Sequence, residues 1–151
     1  MKFMKAHSLL SVVVSGFVLL LTQFNAGAAK VEHPHYLHAL SDLRAARWMI
    51  EHRPGNWQQT TDEVEAVKQI DAAINAIKKA SIDDGKDLND HPKVDEVPDH
   101  IGRLHKAVDL LKKAHARVNK EEDNAFAEGL KDKALKNISE AIRLTEKAIH
   151  A

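Results

Sequence analysis

The chain has 151 residues, with 22 basic and 22 acidic side chains, ten histidines and no cysteine. The lack of cysteine excludes disulfides, thiolate metal sites, cysteine nucleophiles and haem attached through a Cys-x-x-Cys-His motif. The balanced charge argues against a nucleic-acid-binding protein, which would carry a basic stripe, and against electrostatic attachment to anionic lipid.

The first 28 residues are predicted to be a signal peptide. Two lysines form a basic start, residues 9–21 form an apolar run, and residues 26–28 supply the small side chains of a cleavage site. The apolar run is too short to cross a bilayer comfortably, which takes about 20 residues, so we prefer cleavage to an uncleaved anchor. Cleavage would remove two lysines and no acidic residue, so residues 29–151 carry 20 basic and 22 acidic side chains. We therefore expect a protein of the periplasm, or a secreted one, without membrane attachment.

The rest of the chain contains two pairs of similar segments. The sequence LHALSDL from Leu37 recurs 67 residues later as LHKAVDL from Leu104. The sequence AVKQIDAAI from Ala66 recurs 68 residues later as ALKNISEAI from Ala134. Two matches in the same order, at nearly the same offset, indicate a helical hairpin that occurs twice.

Two stacked hairpins can bury apolar stripes that neither can bury alone. The sequence therefore predicts an all-α domain, a four-helix bundle built from two tandem α-hairpin repeats within residues 29–151. The repeats are expected at about 34–81 and 98–150, with a linker at 82–97 that is rich in turn-forming residues.

Helices one and two form the first predicted hairpin. Helix one is expected from Pro34 to about His52, because proline suits a first helical turn, and Met49 is expected to point outward. Helix two is expected to start after Thr60 or Thr61 and to end near Ala80 or Ser81. The predicted buried positions are Tyr36, Leu40, Leu43, Ala46, Arg47 and Ile50 in helix one, and Val64, Val67, Ile70, Ile74 and Ile77 in helix two.

Helices three and four form the second predicted hairpin. Helix three is expected to open at Pro98-Asp99, and helix four to run from about Asp123 to Ala148, with Gly129 as a weak point inside it. The predicted buried positions are Ile101, Leu104, Val108, Leu111, His115 and Val118 in helix three, and Phe126, Leu130, Ala134, Ile138, Ala141, Ile142, Thr145 and Ile149 in helix four.

Three histidines cluster where the chain enters helix one and are the candidate metal ligands. His35 and His38 are three residues apart, so both can reach one ion from the same helix face, with His33 just before them. Imidazole is a ligand for zinc, copper and nickel. The alternative is that all three are solvated residues at the start of the helix.

His115 is the candidate cofactor-binding residue because it interrupts an apolar stripe. It occupies the position that Trp48 has in the first repeat. One interpretation is a buried neutral histidine whose ring is hydrogen-bonded by a neighbour. The other is an axial ligand for non-covalent haem, for which Met49 would be the one methionine left as a partner.

Arg44 and Arg47 lie beside the apolar face of helix one. Arginines that close to a core normally pair with a carboxylate, for which Asp71 and Glu51 are the candidates. The alternative is an anion-binding groove between helices.

The stretch from Tyr36 to Arg47 resembles a group of small exported bacterial proteins with the helical-hairpin pattern Ala-Leu-x-x-Leu-x-x-Ala-Arg. Leu40, Leu43, Ala46 and Arg47 match that pattern, and Ile70, Ala73 and Ile74 match its second helix. The Gly-Gly-His-Arg turn of the group is missing here. The resemblance implies the fold and no assigned activity.

No catalytic motif is present, so we expect a protein that is not an enzyme. The leading hypothesis is a non-enzymatic periplasmic helical bundle that binds a protein partner, a small ligand or a divalent metal ion, with zinc and copper as the candidates. One alternative is a non-covalent haem or metal redox protein of cytochrome-b or cytochrome-c′ architecture. Another is a structural or stress-protective protein without a ligand.

Overall fold

The structure is a computed structural model that describes residues 33–52, 57–80, 83–94, 97, 99–121 and 127–151. All regular secondary structure in these ranges is helical, which confirms the all-α prediction. The four helices are α1 (Pro34–Glu51), α2 (Thr61–Ala80), α3 (His100–Lys120) and α4 (Glu128–Ile149). The predicted signal peptide and the predicted core residue Phe126 lie outside the described residues.

Side chains next to the helices set where α2 and α3 begin. Thr60 and Glu63 form a capping box, in which the Glu63 amide donates to Thr60 Oγ1 at 3.2 Å and the Thr60 amide donates to Glu63 Oε2 at 2.7 Å. Asp99 caps α3 by accepting a hydrogen bond from the amide of Gly102. Helix α4 begins at Glu128, later than predicted, so Gly129 lies in its first turn rather than in its interior.

Contacts between helix ends show how the chain runs through the bundle. Arg117 near the end of α3 donates to the carbonyl oxygen of His38 and to the carboxylate of Asp42 near the start of α1. Lys147 near the end of α4 contacts Asp62 at the start of α2, with 2.9 Å between Nζ and Oδ1. The pairs α1–α3 and α2–α4 are therefore antiparallel.

These two antiparallel pairs also make the most extensive packing in the bundle. Helices α3 and α4 pack against each other less, and α1 and α2 least. Among the described helices, α1–α4 and α2–α3 are the diagonal pairs. Because α2 and α3 are diagonal and run in the same direction, the linker between them must pass along the bundle, a long crossover connection of the kind known from other four-helix bundles.

The linker crosses over the face of α1 and is fixed there by polar contacts. Arg44 binds Asp84 through two hydrogen bonds of 2.7 and 2.8 Å, and Arg47 donates to Asn89 at 3.3 Å. Apolar linker residues pack against the core, namely Leu88, Val94 and Val97. The linker therefore covers a side of α1 that α2 and α3 do not cover. For this reason the buried residues of α1 are not confined to one stripe of the helix.

Most of the predicted core positions are buried, but several residues are not where the helical wheel placed them. Arg47, Leu130, Ile142 and Ile149 were predicted to be buried and are half-buried. Met49, predicted to point outward, is 1% exposed, because the linker and α3 cover the flanks of α1. Val64 and Ile101 are exposed, since each lies in the first turn of its helix, where fewer neighbours surround it. His115 is half-buried rather than inside the core.

Candidate functional site

His33 is held at the start of α1 in a way that the sequence did not predict. It is the N-cap residue of α1, has a φ of 62° in the left-handed region, and provides no side-chain cap to the helix. The His33 ring instead contacts Glu121, the residue directly after α3, with 2.9 Å between Nδ1 and Oε1. The rings of His33 and Tyr36 are also in contact, with centroids 5.7 Å apart.

Glu121 is a buried carboxyl group that favours one tautomer of His33. It is 6% exposed, and its second oxygen, Oε2, is buried without a hydrogen-bond partner among the described residues. A carboxylate oxygen accepts hydrogen bonds, so this contact suits the tautomer in which Nδ1 of His33 carries the proton and Nε2 has the lone pair. A histidine that binds a metal typically donates its other ring N–H to such a carboxylate.

The other two predicted ligands lie on the same end of α1. His35 is half-buried and His38 is exposed, so neither belongs to the core. In the part of the chain that the structure describes, no three histidine, aspartate or glutamate side chains converge on a point where they could hold an ion. The three histidines are thus near in sequence, but in these rotamers they are not a formed chelate.

A second histidine–glutamate pair lies at the opposite end of the bundle. His100, the first residue of α3, has Nε2 2.6 Å from Oε1 of Glu63, which is 0% exposed. The ring N–H is not aligned with that oxygen, so the contact is an ion pair when the ring is protonated rather than a directed hydrogen bond. His100 also stacks on Trp57, with centroids 4.9 Å apart.

This second pair was not predicted from the sequence, although a signal for it is present. His100 follows His33 by 67 residues, which is the offset between the first two similar segments. Each histidine lies at the start of a helix, α1 or α3, and contacts a buried glutamate. Glu121 is the C-cap residue of α3, and Glu63 lies in the first turn of α2. Extending the repeat alignment four residues toward the N-terminus would have paired the two histidines, but not their glutamates.

The structure corrects the position of His115, the predicted cofactor ligand. It lines a groove of about 310 Å³ between α3 and α4, together with Lys112, Ser139 and Ile142. The carbonyl oxygen of Met49 contacts Arg103, twelve residues before His115 along α3. At a rise of 1.5 Å per residue this places His115 and Met49 about 18 Å apart along the bundle axis, too far to be two axial ligands of one haem.

The arginines of α1 pair with carboxylates. Arg47 contacts Asp71, with 2.9 Å between Nε and Oδ1, and contacts Glu51 one turn away, as predicted. Arg44, which is 1% exposed, binds Asp84 of the linker, a partner that the sequence analysis did not propose. Neither arginine is left to bind an anion in a groove.

Two carboxyl groups on these surfaces have pKa values shifted in opposite directions. Burial raises the pKa of Asp42 above its ordinary value, although the nearby Arg117 acts against this. Burial also acts to raise the pKa of Asp84, but the hydrogen bonds and positive charge of Arg44 outweigh it and hold that pKa below its ordinary value. Asp84 is therefore ionised under all ordinary conditions.

No helix in the described ranges is both long enough and apolar enough to cross a bilayer. Comparison with protein-family models, curated proteins and solved structures found no match to this chain. The resemblance to small exported helical-hairpin proteins therefore stays a prediction.

Proposed function

We propose that this protein is an exported, non-enzymatic helical bundle that binds a divalent transition-metal ion, zinc or copper, at the start of α1. The proposed ligands are His33, His35 and His38. The observation that carries the proposal is the contact between His33 Nδ1 and the buried Glu121 carboxylate, which leaves Nε2 available to a metal.

The buried carboxylate supports metal binding for a second reason. A cation bound at Nε2 of His33 increases the acidity of the Nδ1 proton and so strengthens the hydrogen bond to Glu121. The Oε2 atom of the same residue is buried and has no hydrogen-bond partner among the described residues, so the protein satisfies this carboxyl group only in part. An added positive charge next to this pair is therefore favoured electrostatically.

The side chains of His35 and His38 have to turn toward His33 to complete the site. Both rings are at least partly exposed, so this rearrangement costs only side-chain entropy. Three imidazoles with an open fourth position for water would suit tetrahedral zinc. Cysteine is absent, so histidine is the side chain of this protein that best suits zinc or copper.

Thermal melting with added zinc or copper tests the proposal. We expect the ions to raise the Tm of the wild-type protein by mass action, and His35→Ala with His38→Ala to abolish the increase while the metal-free Tm stays nearly unchanged. His115→Ala is the matched control, because this half-buried histidine of α3 lines the groove toward α4 with Ser139 and Ile142 and should leave the increase intact. Native mass spectrometry gives the stoichiometry and would also reveal bound haem.

Glu121→Gln tests the role of the buried carboxylate. The amide keeps the shape but loses the charge, and loss of such an outer-sphere partner typically weakens metal affinity about 10–100-fold. A wild-type Tm that does not respond to either ion, or a response that survives loss of His35 and His38, would reject this site. A protein without any metal or haem would favour the structural or stress-protective hypothesis.

We also propose that the bundle arose from a duplicated hairpin related by an approximate two-fold axis. The packing of α1 on α3 and of α2 on α4 supports this, because equivalent helices contact each other as in a symmetric dimer. Equivalent alanines, Ala66 with Ala134 and Ala73 with Ala141, are all 0% exposed. Export through a cleaved signal peptide is part of the same proposal and is tested by N-terminal sequencing of the exported protein.

A further inference from the structure

Arg103 is a buried arginine that has no carboxylate partner among the described residues. It lies in the first turn of α3, next to the end of α1, and is 4% exposed. Its hydrogen bond to the described residues runs from Nε to the carbonyl oxygen of Met49, at 3.3 Å. Its Nη2 atom is buried, and no described residue forms a hydrogen bond with it.

Arg44 shows how the same fold treats a buried arginine that has a counter-charge. Arg44 is 1% exposed and makes two hydrogen bonds to Asp84, with a third, at 3.2 Å, to the carbonyl oxygen of Lys86. The salt bridges of the described residues include Arg44 and Arg47 but not Arg103. Arg103 is thus about as buried as Arg44 but has no described residue in the role that Asp84 has for Arg44.

The groups that do contact Arg103 compensate its charge only in part. The guanidinium carbon lies 4.9 Å from the ring centroid of Trp48, a cation–π contact. The Met49 carbonyl lies near the C-terminus of α1, where the helix dipole also favours a cation. A guanidinium has five N–H donors, and the two on the buried Nη2 have no partner among the described residues. Burial lowers the pKa of Arg103, which is the expected effect of an uncompensated charge.

The guanidinium of Arg103 lies beneath Trp48, and Trp48 contacts two histidine rings nearer the surface. His52 is exposed and stacks on Trp48, with centroids 4.4 Å apart and an interplanar angle of 12°. His91, in the linker, lies on the same indole at 5.0 Å. Trp48 and His91 are half-buried, so the cluster of Trp48, His52, His91 and Arg103 lies at the end of the bundle and borders solvent.

We propose that Arg103 anchors a binding site for a small oxyanion, the counter-charge that the described residues do not supply. Two parallel N–H···O bonds from a guanidinium match the geometry of phosphate, sulfate or a carboxylate. The ion is either a free inorganic anion or the carboxylate of an organic acid. This site is separate from the proposed metal site, since Arg103 and His33 are at opposite ends of α1.

Thermal melting in phosphate, sulfate and acetate, each balanced with chloride to constant ionic strength and with a chelator present, tests the proposal. We expect the wild-type Tm to rise with phosphate concentration and to level off at saturation. Arg103→Met keeps the apolar stem without the charge and should abolish that dependence. Arg143→Met is the control, because Arg143 is a surface arginine paired with Glu140 and its loss should leave the dependence intact.

A fluorescence titration keeps the proposal testable if Arg103→Met does not fold. The chain has two tryptophans, and Trp57 is 59% exposed, so Trp57→Phe leaves Trp48 as the only reporter. Trp48 emission should then change with phosphate or sulfate if the ion is inorganic, and with acetate if a carboxylate is preferred.

Emission and Tm that ignore all three anions would overturn the proposal, and so would a phosphate response that survives Arg103→Met. A further test uses Asp95 and Glu96, two carboxylates shortly before α3 in the sequence that lie outside the described residues. If Asp95→Asn with Glu96→Gln lowers the anion-free Tm as much as Arg103→Met does, the counter-charge is internal and the proposal is wrong. The chelator separates this test from metal binding, so either proposal can fail without the other.

Discussion

The Arg44–Asp84 pair joins the linker to α1 through a buried arginine and a half-buried carboxylate. The side chain of Arg44 is 0% exposed and that of Asp84 is 11% exposed, so water could not replace Asp84 at the guanidinium. Buried ion pairs do not stabilise a fold strongly by themselves, but removing one partner leaves an uncompensated buried charge. The functional importance of this pair is that it fixes the linker, which in turn carries His91 next to Trp48.

Asp84→Asn is expected to lower the free energy of unfolding by about 3–5 kcal/mol at neutral pH. The folded-state pKa of Asp84 is depressed, so the stability from its ionisation is present above the unfolded value of about 3.9 and is lost as pH falls through the folded value. The wild-type protein should therefore lose part of its stability below about pH 4, and the variant should lose less over that range. Chemical denaturation at several pH values measures both effects.

Asp42→Asn is a comparison in which the pKa of the replaced carboxyl group is shifted in the opposite direction, upward. The folded-state pKa of Asp42 is raised, so this carboxyl favours the fold most when protonated, and its contribution falls as pH rises through the folded value. Its partner Arg117 has a side chain that is 37% exposed, so the pair is worth at most about 1 kcal/mol. A loss of stability at neutral pH as large as that of Asp84→Asn would contradict this assignment.

At the scale of single helices, the first turns of α3 and α4 each contain a glycine, and the two differ in whether a larger residue would fit. A Cβ on Gly102 would lie 2.5 Å from Oδ2 of Asp99 and 2.9 Å from Cγ1 of Val97, so alanine would displace the cap of α3. A Cβ on Gly129 would meet no atom within 4 Å. Gly102 is therefore needed for the cap of α3, whereas no steric contact requires glycine at position 129.

Gly102→Ala should destabilise the protein by about 1 kcal/mol, because loss of the Asp99 cap outweighs the entropic gain of alanine. Gly129→Ala should stabilise it, by a few tenths to about 1 kcal/mol, since only the entropic gain remains. Thermal denaturation of the two variants side by side provides the comparison, and shifts of the same sign would contradict it.

Ile74 and Ile142 occupy matching places in the repeated segment but not in the core. Ile74 is 1% exposed, whereas Ile142 is half-buried and lines the groove that also contains His115. We expect Ile74→Ala to cost about 2–5 kcal/mol and Ile142→Ala clearly less, about 1–2 kcal/mol, because no closed cavity forms at an open groove. Equal costs in urea denaturation would show that the groove is closed in solution.

At the scale of the whole molecule, the main interfaces join the two hairpins rather than the two helices within each. Helix α1 packs mainly on α3 and α2 mainly on α4, while the packing of α1 on α2 is the smallest. A hairpin separated from its partner would expose most of its apolar surface to water. The fold therefore depends on both hairpins at once.

The full chain should unfold in one transition, with the helical signal and tryptophan fluorescence changing together. A fragment of residues 31–97 should show little helix, because most helical stability in proteins comes from tertiary packing of an apolar face, which the fragment lacks. Circular dichroism of both samples measures this. A stably helical fragment would contradict the view that the inter-hairpin interfaces hold the fold.

The sequence by itself determined the helices of this protein and much of its core, because both follow from local patterns. Pro34 marked the start of α1, Thr60 and Thr61 the start of α2, and the apolar period of 3.6 residues found buried positions such as Leu40, Ile70 and Leu111. These features depend on residues a few positions apart, whose relations the sequence displays directly.

Only the tertiary structure decided which polar groups meet. Glu121 contacts His33 across 88 residues, and Arg44 contacts Asp84 across 40, distances over which no periodic pattern extends. It also decided that Met49 is buried, since the linker crosses α1, and that Arg103 lies buried without a carboxylate. A helical wheel assumes one partner surface for each helix, whereas burial in a bundle depends on every element that packs against it.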